Sequence, residues 1–109
     1  MPRVPGAQRS LREVFARNVR LARVNAGISQ ERLADEAQLD RTFIGTLERG
    51  LRNISIDNIE RIAAVIGHPA HDLLRADFAQ THGLDDTLTR APRTQRLYPT
   101  TTRTRRPRP

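Results

Sequence analysis

Between Leu11 and Ala79 the apolar residues recur at three- and four-residue spacing in short stripes, and no stretch sustains period-two alternation. That spacing puts side chains on one face of a helix, and a chain without alternating stretches offers no strands to pair. The pattern therefore predicts an all-α domain. Stripes this short are not stable as isolated helices, so each must bury its face against the others in one core.

Caps and stops divide the region into five helices. Ser10, with Glu13 three residues on, forms a capping box for a first helix. It carries Leu11, Phe15, Val19, Ala22 and Ala26 on one face and Arg17, Arg20 and Arg23 on the other, and Gly27 ends it. Ser29 caps a second helix, Gln30–Ala37, with Leu33, Ala34 and Ala37 inward. Asp40 caps a third over residues 41–49, burying Phe43, Ile44 and Leu47, and Gly50 stops it. Asn53-Ile-Ser55 introduces a fourth with Ile56, Ile59, Ile62, Ala63 and Ile66 on one stripe before Gly67. A last short helix starts near Pro69 and presents Leu73, Leu74 and Phe78, more apolar surface than such a core needs and so a candidate dimer interface.

This places a domain at residues 11–79, between a flexible arm at 1–10 and a disordered tail at 80–109 rich in arginine, threonine and proline. The net charge is +7, and all 19 basic residues are arginine. Residues 1–79 hold 12 arginines against 10 acids, and the remainder holds 7 against 2, so the excess sits in the tail. A basic balance suits nucleic acid, an anionic membrane face or an acidic protein equally, and the lack of lysine equally reflects base composition. Other classes fall away. Without cysteine there is no disulfide, thiolate metal site or thiol nucleophile. No apolar run approaches the ~20 residues that span a bilayer, and Met1 to Gly6 lacks the apolar segment of a signal peptide, so a cytoplasmic protein with no membrane partner is expected. His68-Pro-Ala-His71 has a metal-like spacing, but no third ligand is near and His82 is distant in sequence. No glycine-rich phosphate loop, nucleophile elbow or paired-carboxylate cleft occurs, so neither an enzyme nor a cofactor is expected.

Two short helices joined by a tight turn, the second with a polar outer face, form the arrangement that lays a helix in a major groove. Around these helices stand four blocks: Asn18-Val-Arg20-Leu-Ala-Arg23, then Gly27-Ile-Ser29-Gln30-Glu-Arg-Leu33-Ala34, then Phe43-Ile44-Gly-Thr-Leu47-Glu48-Arg49-Gly50, then Ile62-Ala63. In these the chain resembles the Xre/Cro family of helix-turn-helix regulators, over residues 13 to 75. The resemblance implies a compact five-helix phage-repressor-like domain that binds double-stranded DNA as a homodimer on a palindromic operator. It also implies roles residue by residue. Arg41, Thr42 and Thr46 match base-reading positions, and Ser29 and Gln30 match a pair that touches phosphate. Arg23 and Glu48 match an internal salt bridge. Arg49 and Arg52, with the amides near Ser55, form a second phosphate clamp.

Physical chemistry agrees with these roles without requiring them. A helix N-terminus attracts a phosphate oxygen, although Ser29 is equally a plain cap. A guanidinium can bridge guanine O6 and N7, which makes Arg41 the best base-reading candidate; a solvated helix face is the default reading of such a residue only outside this motif. Gln38 departs from the family's usual turn glycine and Gly45 leaves a gap on the groove-facing surface, each costing roughly 1 kcal/mol. Phage repressors, controller proteins of restriction-modification systems and antitoxins all share the pattern. A different class of function keeps the scaffold and uses Leu73, Leu74, Phe78 and the tail to bind a protein partner.

Overall fold

The computed structural model describes residues 9–88, so the expected arm through residue 8 and the expected tail from residue 89 lie outside the described residues. The described chain is all-helical: α1 Leu11–Asn25, α2 Gln30–Ala37, α3 Arg41–Glu48, α4 Ile56–Ile66, a 3-10 turn Ala70–Leu74, and α5 Phe78–His82. The four longer helices begin where local caps place them. Ser10 and Glu13 exchange side-chain and backbone hydrogen bonds in a capping box. Ser29 and Ser55 accept from the third N–H of their helices, and Asp40 accepts from Thr42 N–H.

α1 is the central element, with the 3-10 turn, α3, α4 and α5 against it, while α2 packs on α3 and α4. Val19, Leu33, Ile44, Leu47, Ile62, Leu73 and Phe78 are fully buried in one cluster between them, and Leu21 and Val24 of α1 are fully buried as well. α1 thus buries two faces where the sequence indicated one. Leu21 and Val24 are covered as well as Phe15 and Val19, whereas Leu11 and Ala26, at the helix ends, are exposed. Ile56 is also exposed, at 76%, because it stands in the first turn of α4 at the edge of the apolar stripe.

The expected last helix is two elements. Arg75 is extended (φ −88°, ψ 135°) and separates the 3-10 turn from α5. Asn18, buried in α1, donates from Nδ2 to the carbonyls of both Leu73 and Arg75 at 2.8 Å, which satisfies the backbone at the break. The dimer-interface expectation for Leu73 and Phe78 is corrected here: both are 0% exposed and belong to the core of the single chain, and Leu74 is half-buried against it. The domain end expected at residue 79 also moves outward. α5 runs to His82, and the following segment returns along α1, where Asn25 exchanges hydrogen bonds with the Asp85 backbone and Arg20 reaches the Leu88 carbonyl.

Candidate nucleic-acid interface

The turn between α2 and α3 sets the angle at which α3 is presented. Gln38, standing where the resembled family usually has a turn glycine, adopts the left-handed conformation (φ 61°, ψ 43°), which sends the chain sharply from α2 toward Asp40. Leu39 N–H then reaches back to the Ala34 carbonyl at 2.8 Å, closing the end of α2. Ile44 and Leu47 anchor α3 in the core, so the opposite side of that short helix faces out.

Arg41 and Thr42 are exposed at the start of α3, and Arg49 is exposed at its C-cap. No carboxylate of the described residues pairs with Arg41 or Arg49. At the start of α2, exposed Ser29 closes the cap onto Arg32 N–H, and the first N–H groups of the helix are left to solvent or to an external acceptor. Ser55 caps α4 in the same way, accepting from Asn58 N–H at 3.1 Å.

Beneath this face lies a buried ion pair. Arg23 and Glu48 are 6% and 9% exposed, and the guanidinium meets the carboxylate through two hydrogen bonds, Nε to Oε2 at 2.6 Å and Nη2 to Oε1 at 3.0 Å. Its third donor, Nη1, binds the Ile28 carbonyl at 2.8 Å, so Arg23 ties the α1–α2 turn to the end of α3. Glu48 Oε1 also accepts from Gln30 Nε2 at 3.0 Å. That contact had no signal in the sequence, and it fixes the side chain at the start of α2.

Two residues are engaged in ways the sequence did not indicate. Thr46 Oγ1 lies 3.1 Å from the carbonyls of both Thr42 and Phe43 and accepts from Arg52 Nε at 2.8 Å, so its hydroxyl is satisfied within the protein and its methyl is what it has to offer a base. The Arg52 guanidinium lies over the Phe43 ring, 5.2 Å from the centroid, which holds it against α3 with its Nη groups as remaining donors. The Arg12 guanidinium bonds Asn53 Oδ1, linking α1 to the loop before α4. The structure therefore joins Gln30, Arg41, Thr46, Arg49 and Arg52 to α3 or its supports, while Ser29 and Ser55 stand at two separate helix starts. Contacts made across the Gly50 turn follow no helical periodicity, which is why Arg52 on Thr46 was not legible. Among the described residues no group of three or more histidine, cysteine, aspartate or glutamate side chains is arranged to hold a metal.

This geometry is matched by known proteins. Residues 19–73 fit the helix-turn-helix family that the four sequence blocks resemble. The chain belongs to the Xre-type helix-turn-helix family. A hypothetical transcription factor of Neisseria meningitidis is 49% identical over 67 residues, which cover 62% of this chain and 63% of that protein. This chain thus spans less than two thirds of that relative's length. Control protein C.BamHI of Bacillus amyloliquefaciens is 46% identical over 66 residues, 60% of this chain and 82% of the relative. The crystal structure of the hypothetical transcription factor from Neisseria superposes with a TM-score of 0.62 at 45% identity, covering 67% of this chain and 84% of that one. The restriction-modification controller protein C.AhdI from Aeromonas hydrophila gives a TM-score of 0.55 at 37% identity, covering 57% and 94%. Both the all-α architecture and the family resemblance read from the sequence are borne out, and the family is one of DNA-binding transcription regulators. No helix among the described residues is long and apolar enough to cross a membrane.

Proposed function

We propose that this chain is a cytoplasmic regulator that binds duplex DNA sequence-specifically, with α3 in the major groove, and controls transcription as a homodimer on a palindromic operator. The observation that carries this reading is the outer side of α3, where Arg41 and Arg49 stand exposed with no carboxylate partner among the described residues, above an α2–α3 pair held rigid by Arg23 and Glu48. Arg41 and Thr42 read base edges from the first turn, and Thr46 contributes a methyl for a thymine. Ser29, Gln30, Arg49, Arg52 and Ser55 meet the phosphates on either side, two of them at helix N-termini whose N–H groups favour an anion.

One α3 reads only a few base pairs, and twofold pairing doubles the readout. The large apolar side chains that remain exposed for a second copy are Leu11, Leu51 and Ile56, among the described residues. Likeness to two controller proteins favours an autoregulatory controller over a phage repressor or an antitoxin. The protein-interaction alternative loses its main anchor, since Leu73 and Phe78 are inside the core.

Selection from random duplexes tests the reading. The expected result is an inverted repeat whose half-sites each contain a guanine, bound with an affinity that falls steeply with salt, at about −0.9 in log–log slope per phosphate neutralised. A folded protein that enriches no sequence and binds no duplex at low salt would refute it.

A further inference from the structure

The outer surface of α3 has a gap that its backbone does not require. Gly45 stands mid-helix, where glycine is less stable than alanine, and it has none of the positive φ that explains Gly27, Gly50, Gly67 and Gly83. A Cβ built at Gly45 would lie 3.0 Å from Arg41 Nη1 and 4.0 Å from Gln30 Oε1. The Arg41 side chain therefore runs one turn along α3 and rests its guanidinium over bare backbone, close to the start of α2.

The other wall of this slot is oriented from below. Gln30 donates from Nε2 to Glu48 Oε1, and only the NH2 end of an amide can meet a carboxylate in that way. Its Oε1 is accordingly turned away from Glu48 and toward the Gly45 side, where it stands 4.0 Å from the built Cβ position. Glu48 is itself held by two bonds from Arg23. The buried ion pair fixes the amide, the amide bounds the slot, Gly45 is its floor, and the Arg41 guanidinium lies in it.

We propose that Gly45 is a specificity-determining position of the DNA-binding face: its missing side chain sets where Arg41 presents its donors, and hence which guanine edge of the half-site Arg41 reads. This inference rests on the DNA-binding function proposed above. The chemistry sought is a pair of acceptors such as guanine O6 and N7, which a guanidinium meets with two parallel hydrogen bonds only when it is placed within a few tenths of an ångström. The atom that a methyl at position 45 meets is the tip of a flexible side chain, so substitution displaces the reading group and leaves the helix in place.

Selection from random duplexes with the wild type, Gly45→Ala, Arg41→Ala and the double variant, alongside thermal melts of each, tests the proposal. Gly45→Ala is expected to melt at or above the wild-type temperature, since alanine is the better helix former, and to keep the salt dependence of binding. It is expected to weaken the base preference at the position lost in Arg41→Ala by roughly tenfold, or to move it to a neighbouring base pair. On the Arg41→Ala background the same change should do nothing further at that position. The proposal is overturned if Gly45→Ala selects the wild-type site with undiminished preference, if it still alters that position when Arg41 is absent, or if it lowers the melting temperature as a packing defect would. A wild type that selects no sequence at all refutes the DNA-binding reading itself, an outcome distinct from a selective wild type and an indifferent Gly45→Ala.

Discussion

Two surfaces of this molecule use arginine in opposite ways. Around α1, the 3-10 turn and α5, arginines are answered within the chain: Arg17 lies 3.7 Å from Asp86, and Arg75 meets Asp77 at 2.9 Å. That second pair is tight enough to hold the Asp77 carboxyl below its usual pKa, chiefly through the hydrogen bond from Arg75. On α3, Arg41 and Arg49 have no such partner among the described residues. A surface whose cations are paired presents little field to an external anion, whereas unpaired guanidinium groups keep both charge and donors available. Placement of the acids, more than the count of arginines, separates the two faces.

The largest effects should come from what both surfaces stand on. Arg23→Ala or Glu48→Ala should each destabilise the domain by about 3–5 kcal/mol, because the remaining buried charge is stranded, and the double variant should lose less than the sum. Melts that leave both single variants unchanged would break the link between α1 and α3. On the paired side, Phe78→Ala should lose about 3–5 kcal/mol and Leu73→Ala about 2–5 through the cavities left in the core. Phe78→Arg should unfold the chain; a stable, folded monomer from that variant would return Phe78 to the surface.

Of smaller size is the strain stored at the turn between the two helices of the DNA-binding face. Gln38→Gly should raise stability by about 1 kcal/mol, since only Gln38 among the non-glycine described residues has a positive φ. An unchanged melting temperature would mean that the side chain offsets the strain.

The smallest expected effect belongs to the paired side. His68 packs edge-on against Phe78 and His82, and burial, with the neighbouring His82 charge, lowers its pKa against a weaker opposing pull from Asp72. The unfolded chain then takes up a proton first, so His68's contribution to stability is present above about pH 6.5 and is lost as pH falls below it. His68→Gln should flatten the dependence of melting temperature on pH from about 7 to 5. A slope that survives the substitution would assign the pH response elsewhere.

Helix starts were legible because a cap is a local device: Ser10, Ser29, Asp40 and Ser55 each act within three residues. The left-handed Gln38 and the Arg23–Glu48 pair were legible through the family resemblance. The break at Arg75 was not, since neither glycine nor proline marks it and its backbone is satisfied by Asn18 from 57 residues away. The interior position of Leu73 and Phe78 was missed for a related reason. Periodicity tells which side of a helix is apolar but not what covers it, and here Leu73 and Phe78 join the cluster built by Phe15, Val19 and Ala22 of α1 and Ile62, Ala63 and Ile66 of α4. Gln30 on Glu48 and Arg52 on Phe43 likewise depend on how helices and turns are brought together.

The contrast between the two faces can be tested with charge held constant. Duplex affinity across a range of salt should be measured for two double variants, Arg41→Ala with Arg49→Ala, and Arg17→Ala with Arg75→Ala. Each removes two positive charges per chain. The account predicts that the α3 pair loses at least roughly tenfold in affinity for a preferred site and lowers the salt slope by about 0.9 for each phosphate contact removed, while the paired-side variant keeps its slope. Equal losses from the two variants would contradict it, because binding would then follow net charge and not the face that carries it.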